Sequence, residues 1–353
     1  MLPKDKVQFP PLERELENQS TGARKHFRMR PFACGDEQGM IDCIRDEYAD
    51  SYFKQDFYDP VRLREKALGE HYVFFVAETD GEIAGMEIFA LFCEHGDDYI
   101  EPASQILRIK YRGFGLSAAL VEYTFPLAKA MRPSALFVHA VTFHTITQRV
   151  CEAQGMRATG FRLGRFLTER MQNSYERGRC PKYSEGIMIL PLEKREAGTV
   201  YVPKELYGFV SDCYDRLDMS YALCHEGAPL PSSPAQLLIS TDELQRMVLI
   251  RLERYGADVV EQVQASLADR DRNGWTCQIK LPVCDGCAVT VYERLREIGF
   301  FFAGVQAACS DREWIYMQWC GDMELYLEDY ALTEEFCLLR DAIKRFYDRR
   351  KDL

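Results

Sequence analysis

The sequence has no long apolar run, and this absence sets the first limit on its class. No window approaches the roughly 18 uninterrupted apolar residues of a membrane-spanning helix. The first residues, Met1–Pro11, also lack the apolar core and the small residues that mark a signal peptide. We therefore expect a cytoplasmic protein with no membrane partner.

Basic residues are also in short supply. The chain has 44 Lys and Arg residues against 55 Asp and Glu residues, and its net charge is -11. Nucleic-acid binding needs a basic face that displaces counterions, so no nucleic-acid partner is expected. The long-range field of an acidic protein is better suited to cationic small molecules or peptides.

The 13 cysteines are an odd number and are scattered through apparent strands and helices. A disulfide framework would leave one thiol over, whereas in a reducing cytosol cysteines are small buried hydrophobes. Cys284 and Cys287 form a close pair, but no second pair and no His-x-x-x-His partner accompanies them. A metal site is therefore not expected.

The most informative stretch that is present runs from Leu107 to Leu120, where a short apolar strand leads into a glycine turn and a helix start. Gly113 and Gly115 let the backbone turn sharply and approach a ligand closely. A helix from Leu116 to Met131 would point its unpaired amides into the turn, and Arg112 stands on the same rim. This arrangement indicates a phosphate or pyrophosphate cradle, and the alternative is a tight turn that binds nothing.

Two common phosphate loops are excluded by residues that this turn lacks. No Lys followed by Ser or Thr comes after the turn, so it is not a phosphate loop of the Walker type. No third glycine stands at dinucleotide-fold spacing, which argues against an NAD-binding fold.

The length of 353 residues is enough for about two domains of ordinary size. Residues 1–25 are polar and contain prolines, which predicts an N-terminal arm. The charged stretch Glu193–Gly198 ends in glycine and predicts a domain boundary. We therefore expect domains at residues 26–195 and 196–353.

The order of the elements predicts the fold class. The first half reads as a strand, two helices, three antiparallel strands, a helix, a strand, a helix and two strands. The spacing from Gly155 to Gly160 recurs from Gly299 to Gly304, each time after a strand and a helix. We expect an α/β chain of two related domains, each a mixed and mostly antiparallel sheet flanked by helices.

The element order and the glycine turn together resemble the GNAT superfamily of acyl-CoA-dependent N-acyltransferases. The family loop Arg/Gln-x-x-Gly-x-Gly/Ala corresponds to Arg112 through Ser117, with Ser in place of the last Gly or Ala. The pattern Asn-x-x-Ala-x-x-Leu-Tyr-x-x-x-Gly-Phe can be laid over His144 through Met156, where the spacing is kept and several identities are lost. The resemblance covers about residues 26–192 and implies tandem GNAT-like domains.

The resemblance implies acetyl-CoA as the co-substrate. Backbone groups of Leu107, Arg108 and Ile109 would pair with the pantetheine like an extra strand, and Leu107 or a neighbour would donate its amide to the oxyanion. The pyrophosphate would lie on a turn and helix start made by Arg112, Gly113, Phe114, Gly115, Leu116 and Ser117. His144 would either bond to the cofactor or cap the helix that begins at Thr145.

The resemblance also implies a carboxylate that accepts the proton of the attacking amine. Glu101 on the family's fourth strand is the first candidate and Glu87 on the third strand is the second. The alternative for Glu101 is a solvated charge at the start of a strand. Cys151 stands where the family often has a Tyr that protonates the leaving thiolate, and it is either that proton donor or a buried structural thiol.

The second half contains a weaker match to the cofactor loop, with the single glycine Gly256 and with Asp258 where a phosphate should approach. Like charge opposes phosphate binding, so this half is expected to be a degenerate copy without the cofactor.

We therefore expect an N-acyltransferase that moves an acetyl group from acetyl-CoA to an unidentified small-molecule or peptide amine at one site in the first half. A non-catalytic acyl-CoA-binding regulatory module is the alternative. An aromatic cluster in the first half is expected either to wall the acceptor site or to pack in the core. Its members are Tyr52, Phe53, Phe57 and Tyr58.

Overall fold

The computed structural model describes most of the chain, which forms two units. The described residues are 7–94, 97–171, 178–193, 196–307 and 312–350. The first unit takes the described residues up to 138 together with 150–154 and 170–171, and the second takes 139–149, 155–169 and the described residues from 178 onward. Residues 1–6 of the predicted arm and residues 194–195 of the predicted boundary lie outside the described residues.

The first unit is built on a sheet in which neighbouring strands follow the order of the chain. Its strands are β1 (Leu12–Glu17), β2 (Arg24–Pro31), β3 (Tyr72–Thr79), β4 (Glu82–Glu94), β5 (Asp97–Leu107) and β6 (Ala135–Val141), the last of which ends in the second unit. Strands β1 to β5 pair antiparallel in turn, and β6 joins β5 in parallel. The helices beside them are α1 (Glu37–Tyr48), α2 (Pro60–Leu68) and α3 (Leu116–Ala130).

Local sequence signals account for the limits of these elements. Asp59 caps α2, since its carboxylate accepts hydrogen bonds from amides of the first turn, and Pro60 takes the first helical position. Asp80 and Gly81 have φ values of 51° and 78°, as the two-residue turn between β3 and β4 requires. The hairpin that the sequence predicts at these residues is confirmed.

One face of this sheet is sealed by α1 and α2. The buried core that they share with β3, β4 and β5 contains Met40, Ile41, Ile44, Leu63, Phe74, Val76, Met86, Ile88 and Ile106. Because side chains of a strand alternate between faces, Glu87, which stands between Met86 and Ile88, belongs to the opposite face. Its hydrogen bond with Thr124 of α3 agrees with that placement. The two faces of the sheet are therefore covered by different helices.

The second unit is built on a longer series of strands. The strands are β7 (Arg157–Leu167), β8 (Lys182–Pro191), β9 (Glu196–Tyr201), β10 (Ser220–Cys224), β11 (Gln236–Asp242), β12 (Met247–Arg254), β13 (Thr276–Pro282), β14 (Phe301–Gln306) and β15 (Trp314–Trp319). Neighbours in the sheet follow the order β8, β7, β14, β15, β13, β12, β11, and all pairs are antiparallel except β12 with β13. Strands β9 and β10 form a separate parallel pair.

Five further α-helices lie in the described part of the chain. They are α4 (Ile146–Ala153), which has residues in both units, α5 (Tyr207–Arg216), α6 (Val259–Leu267), α7 (Cys287–Glu297) and α8 (Glu334–Arg349). Within the described ranges, no helix is both long enough and apolar enough to cross a membrane.

A series of elements recurs in the two halves of the chain. The first half has the antiparallel pair β4 and β5, then α3, the parallel strand β6, α4 and the hairpin of β7 and β8. The second half has the antiparallel pair β11 and β12, then α6, the parallel strand β13, α7 and the hairpin of β14 and β15. The fold class expected from the sequence, a mixed sheet flanked by helices, is confirmed.

The two glycines that end the repeated spacing meet each other in the second unit. Gly160 of β7 and Gly304 of β14 are cross-strand partners in an antiparallel pair. A Cβ on Gly160 would lie 2.8 Å from the Ala303 carbonyl oxygen, and one on Gly304 would lie 2.6 Å from the Thr159 carbonyl oxygen. Because Gly304 also has a φ of 138°, only glycine fits this crossing without a shift of the backbone.

Parts of the fold differ from what the sequence predicts. Residues 12–17 of the expected arm form β1, so this part of the arm belongs to the sheet. The pair of β9 and β10 is not predicted. The two units do not coincide with the predicted domains 26–195 and 196–353, because β7 and β8 lie in the unit that contains β14. The boundary near residue 195 stays a prediction.

Candidate functional site

Strands β5 and β6 pair over a very short length. Their parallel register has two positions, Tyr99 with Ala135 and Ile100 with Leu136. Beyond Ile100, no pairing of β5 with β6 is found among the described residues. The corresponding strands β12 and β13 pair at five successive positions. In the first half, β5 thus has an open edge beyond Ile100. In the second half, the equivalent edge of β12 is paired with β13.

Backbone groups of β5 face this open edge. The Arg108 amide donates to the Ala84 carbonyl oxygen on β4, at 2.9 Å. Successive amides of a strand point to opposite edges, so the Leu107 amide points away from β4. An extended ligand can therefore pair with β5 in the way that a further strand would.

The strand that was expected to reach Ile109 ends two residues earlier, at Leu107. Ile109 begins a short 3-10 helix, and its amide donates to the Asp46 carboxylate at 2.6 Å. The Arg108 side chain forms an ion pair with Glu82 at 3.1 Å. Of the three residues predicted to pair with pantetheine, Leu107 is therefore the one whose amide faces the open edge.

The glycine turn follows and leads into the first turn of α3. Gly113 and Gly115 have φ values of 85° and 73°, in the left-handed region that favours glycine. A Cβ on Gly115 would meet no described heavy atom within 4 Å, so the space in front of this residue is open. The helix begins at Leu116, and the amides of its first turn have no carbonyl partner within the helix. Such amides attract an anionic group.

Two side chains of the turn anchor it in the core of the first unit. Phe114 is buried and packs edge-on against Phe27 of β2, with ring centroids 5.6 Å apart. Leu116 is buried as well. These two residues can therefore offer a ligand their backbone groups but not their side chains.

The side chains of Arg112 and Ser117 are engaged by the protein itself. Arg112 forms an ion pair with Glu47, a buried carboxylate of α1. The Ser117 hydroxyl donates to the Gln105 side chain on β5, and the Gln105 amide group donates to the Ser117 carbonyl oxygen at 3.3 Å. Because Glu47 balances the charge of Arg112, the backbone amides are the main anion donors of the turn.

Glu87 is a buried carboxylate on the α3 face, with 2% of its surface exposed. It accepts a hydrogen bond of 2.9 Å from the Thr124 hydroxyl and one of 3.5 Å from the Gln105 amide group. Burial raises the pKa of Glu87 to about 7, and the two hydrogen bonds offset this rise only in part. A carboxyl group whose pKa lies near neutrality is suited to proton transfer.

This pKa predicts a pH dependence of stability. The ordinary carboxyl pKa is 4.5, so between pH 4.5 and about 7 the folded chain holds a proton that the unfolded chain has released. The contribution of Glu87 to the free energy of unfolding should therefore fall by roughly 3 kcal/mol as the pH rises through this range. Glu87→Gln should remove that slope, which urea unfolding at a series of pH values measures. Glu65→Gln, at an exposed position of α2, should keep it. An unchanged slope in Glu87→Gln would contradict the assignment.

Glu101 belongs to the other face of the sheet. Its cross-strand partner is Ala90, and the neighbouring pair on the same face is Ile88 with Ala103. Ile88 packs in the core under α1 and α2, so Glu101 lies on the face that these helices cover. Its side chain is partly exposed, unlike that of Glu87.

Strand β5 bulges at Ser104, next to this carboxylate. The register with β4 shifts there, and Ser104 has a φ of 53°. Its hydroxyl accepts hydrogen bonds from the Tyr52 hydroxyl at 2.7 Å and from Lys54 Nζ at 2.9 Å. Tyr52 and Phe57 of the predicted aromatic cluster are buried, which agrees with the packing alternative for these two residues.

Cys151 lies in α4 with 3% of its surface exposed. Burial raises the pKa of its thiol far above the ordinary value, and the nearby charge of Glu87 adds to the rise. A thiol in such surroundings holds its proton tightly. The environment therefore favours the structural alternative over the predicted proton donor.

His144 lies in the second unit, just before α4. Its Nδ1 accepts a hydrogen bond from the Ile146 amide at 3.2 Å, which satisfies one of the free donors at the start of that helix. This contact matches the capping role that the sequence offered as one of two possibilities.

The counterpart of the glycine turn in the second half is filled by the chain itself. A Cβ on Gly256 would lie 2.5 Å from the carbonyl carbon of Pro234. The Asp258 carboxylate accepts a hydrogen bond from the Ala235 amide at 2.6 Å. The pKa of Asp258 is lowered, mainly because of this hydrogen bond. Backbone and negative charge together therefore keep a phosphate from the start of α6.

The cysteine pair of the sequence lies at the start of α7, with Cys287 as the first helical residue. No disulfide links the described cysteines, Cys284 and Cys287 included, and Cys287 donates to the Pro229 carbonyl oxygen at 3.5 Å. Among the residues that the structure describes, no group of three or more His, Cys, Asp or Glu side chains could hold a metal ion.

Sequence reasoning missed the acidic end of α1 and the role of Gln105. Asp46 and Glu47 hold Ile109 and Arg112 from more than sixty residues away, and no spacing in the sequence links a helix end to a distant turn. Gln105 had only a weak signal, because other polar residues of β5, Glu101 and Ser104, stand close to it in the sequence.

No protein-family model and no curated protein sequence matches the chain. Solved structures are similar to about half of it. An N-acetyltransferase from Staphylococcus aureus Mu50 is 14% identical with a TM-score of 0.38, and the match covers 47% of this chain and 99% of that one. NAA60 from Arabidopsis thaliana in complex with acetyl-CoA is 13% identical with a TM-score of 0.37, covering 47% and 98%. A GCN5-related N-acetyltransferase from Kribbella flavida is 18% identical with a TM-score of 0.36, covering 47% and 98%.

The structures from Staphylococcus aureus Mu50 and Kribbella flavida are N-acetyltransferases, and the structure from Arabidopsis thaliana contains acetyl-CoA. Each is covered almost completely by about half of this chain. At these identities and scores the similarity concerns the fold, and the reaction has to be inferred from the residues of this chain.

Proposed function

We propose that the chain is an acyl-CoA-dependent N-acyltransferase with one site, in its first half, that moves an acetyl group from acetyl-CoA to an amine. The observation that carries this proposal is the open edge of β5 with the glycine turn at its end. An extended pantetheine chain suits such an edge, and a pyrophosphate suits such a turn. The second half offers neither feature, because β12 pairs with β13 and the backbone near Pro234 fills the front of α6.

The residues around the open edge fit acetyl-CoA. Pantetheine would pair along the open edge of β5, and the amides from Gly113 to Ser117 would donate to the two phosphates. The open space at Gly115 admits a bulky anion that a side chain would crowd. Bound acetyl-CoA would supply an acyl carbon activated as a thioester.

The chain itself would supply orientation, charge stabilisation and a proton acceptor. The Leu107 amide would stabilise the negative charge that develops on the acyl oxygen. Glu101 is the proposed base, since it is partly exposed and lies three residues before the Ser104 bulge. The amine nitrogen bonds to the acyl carbon, the carbon–sulfur bond breaks, the sulfur leaves as a thiolate, and the amine proton goes to Glu101.

Glu87 is the second candidate for the base. Its pKa of about 7 suits the task, but its carboxyl group is enclosed by Thr124 and Gln105 on the opposite face. A comparison of Glu101→Gln with Glu87→Gln separates the two candidates. The substitution at the true base removes the fall of the rate at low pH, and the other substitution keeps it.

A non-catalytic acyl-CoA-binding module is the second candidate function. It is favoured by the environment of Cys151, whose buried thiol is a poor replacement for the Tyr that often protonates the leaving group in the superfamily. A CoA thiolate is nevertheless a tolerable leaving group without such a donor, so the catalytic proposal stands first.

Turnover and binding measured on one sample distinguish these functions. The purified chain is incubated with acetyl-CoA and a panel of polyamines, aminoglycosides, amino acids and peptides, and the release of free thiol is followed. Thermal melting with and without acetyl-CoA is measured in parallel. Thiol release supports the enzyme, stabilisation without release supports the module, and no stabilisation contradicts both.

The acceptor and the location belong to the same proposal. A net charge of -11 suits a cationic small-molecule or peptide amine as the acceptor. The described cysteines form no disulfides, which suits a reducing cytoplasm.

A further inference from the structure

The turn between β1 and β2 holds the glycine turn from outside. The Asn18 side chain donates from Nδ2 to the Arg112 carbonyl oxygen at 3.1 Å. The Gln19 backbone amide donates to the Gly113 carbonyl oxygen at 3.0 Å. Asn18 also covers one side of Gly113, on which a Cβ would lie 3.0 Å from Nδ2. Neither Asn18 nor Gln19 is among the site residues that the sequence predicts.

Asn18 is itself fixed by the hairpin that it closes. Its Oδ1 accepts hydrogen bonds from the amides of Ser20 and Thr21, at 3.0 and 3.1 Å. Its backbone amide donates to the Ala23 carbonyl oxygen, and its own carbonyl oxygen accepts from the Gly22 amide, both at 2.8 Å. The side chain therefore reaches the glycine turn from a rigid base.

These contacts decide where two amides of the glycine turn point. In a trans peptide, the carbonyl oxygen of one residue and the N–H of the next point in opposite directions. The carbonyl groups of Arg112 and Gly113 point to the turn between β1 and β2. The amides of Gly113 and Phe114 therefore point away from it. Since Asn18 covers the near side, a ligand reaches the turn from the side that these amides face.

We infer that Asn18 is a positioning residue that holds the Gly113 and Phe114 amides in place for the pyrophosphate of an acyl-CoA. This inference rests on the proposed function. Asn18 acts through the peptide groups after Arg112 and Gly113 and needs no contact with the ligand. Donors that are oriented beforehand bind an anion without the cost of ordering the turn.

The test compares acetyl-CoA with acetyl-pantetheine, which has the same thioester but no pyrophosphate. Dissociation constants are measured by calorimetry for the natural chain, Asn18→Ala and Gln19→Ala. Asn18→Ala should weaken acetyl-CoA about 10-fold, as expected for the loss of roughly one hydrogen bond, and should leave acetyl-pantetheine unchanged. Gln19→Ala is the matched control, because it keeps the backbone amide and should change neither constant.

Asn18→Asp is a second variant that tests the inference if Asn18→Ala does not fold. Its carboxylate can still accept from the amides of Ser20 and Thr21, but it cannot donate to the Arg112 carbonyl oxygen. It should weaken acetyl-CoA at least as much as Asn18→Ala does. Equal weakening of both ligands, or no weakening of acetyl-CoA in a variant with a normal melting transition, overturns the inference. Failure of the natural chain to bind acetyl-CoA overturns the proposed function itself.

Discussion

Gly115→Glu is expected to lower kcat/KM for acetyl-CoA by about 1,000-fold or more. The new side chain enters the open space in front of the turn, and its carboxylate repels the pyrophosphate from the amides of Gly113 to Ser117. Loss of two or three charge-assisted hydrogen bonds, at roughly 1.5–3 kcal/mol each, accounts for a factor of this size. Thiol release at a series of acetyl-CoA concentrations measures the effect, and calorimetry measures the loss of binding.

Gly198→Glu is the matched control for this experiment. Gly198 has a φ of 64°, close to that of Gly115, and a Cβ there would also meet no described heavy atom within 4 Å. The same substitution therefore imposes similar backbone strain at a position outside the glycine turn. This variant should keep its affinity for acetyl-CoA. Normal binding by Gly115→Glu would exclude the turn as the pyrophosphate site. If the natural chain binds two equivalents of acetyl-CoA and this variant binds one, the remaining equivalent points to a second site.

Gly304→Ala is expected to destabilise the second unit strongly, by roughly 3–5 kcal/mol. The added methyl group would lie 2.6 Å from the Thr159 carbonyl oxygen and closer still to Gly160. Backbone cannot swing aside as a flexible side chain can, so the strands β7 and β14 would have to separate. The φ of 138° adds strain for any residue with a Cβ. Urea unfolding followed by circular dichroism measures the loss.

Gly299→Ala is the control that measures the cost of backbone strain without the steric clash present at Gly304. Gly299 also has a positive φ, of 90°, but a Cβ there would lie 3.6 Å from the nearest atom of Trp319, which is an ordinary contact. Its cost should therefore be limited to about 1–2 kcal/mol of backbone strain. If the two variants lose the same free energy of unfolding, the close contact between β7 and β14 adds nothing to the cost of backbone strain.

The parts of the site that the sequence predicts are local. Gly113 and Gly115 have the positive φ values that a sharp turn into α3 requires, and Leu116 begins the helix as expected. The apolar runs of β3 and β4 and the turn at Gly81 likewise depend on neighbours in the sequence. Such features are decided by the chain within a few residues, so periodicity and turn residues suffice to find them.

The parts that the sequence does not predict depend on distant pairs. Asn18 and Arg112 are 94 residues apart in the chain, and Arg112 meets Glu47 across 65 residues. The early end of pairing between β5 and β6 is likewise a property of two strands and not of either sequence alone. Resemblance to a superfamily pointed to residues 107–117 but not to the turn between β1 and β2.

The pairing of Gly160 with Gly304 has a consequence for the history of the chain. An antiparallel contact between residues at equivalent places in two series of elements is what a two-fold axis produces. If the two halves are copies, a single-copy protein could have paired β7 with the β7 of a second molecule, each glycine facing its own counterpart. Fusion of the copies replaces an association that depends on concentration with an intramolecular one. The fused chain then forms the contact between β7 and β14 at any concentration. Separate subunits would form the corresponding contact only at concentrations above their dissociation constant.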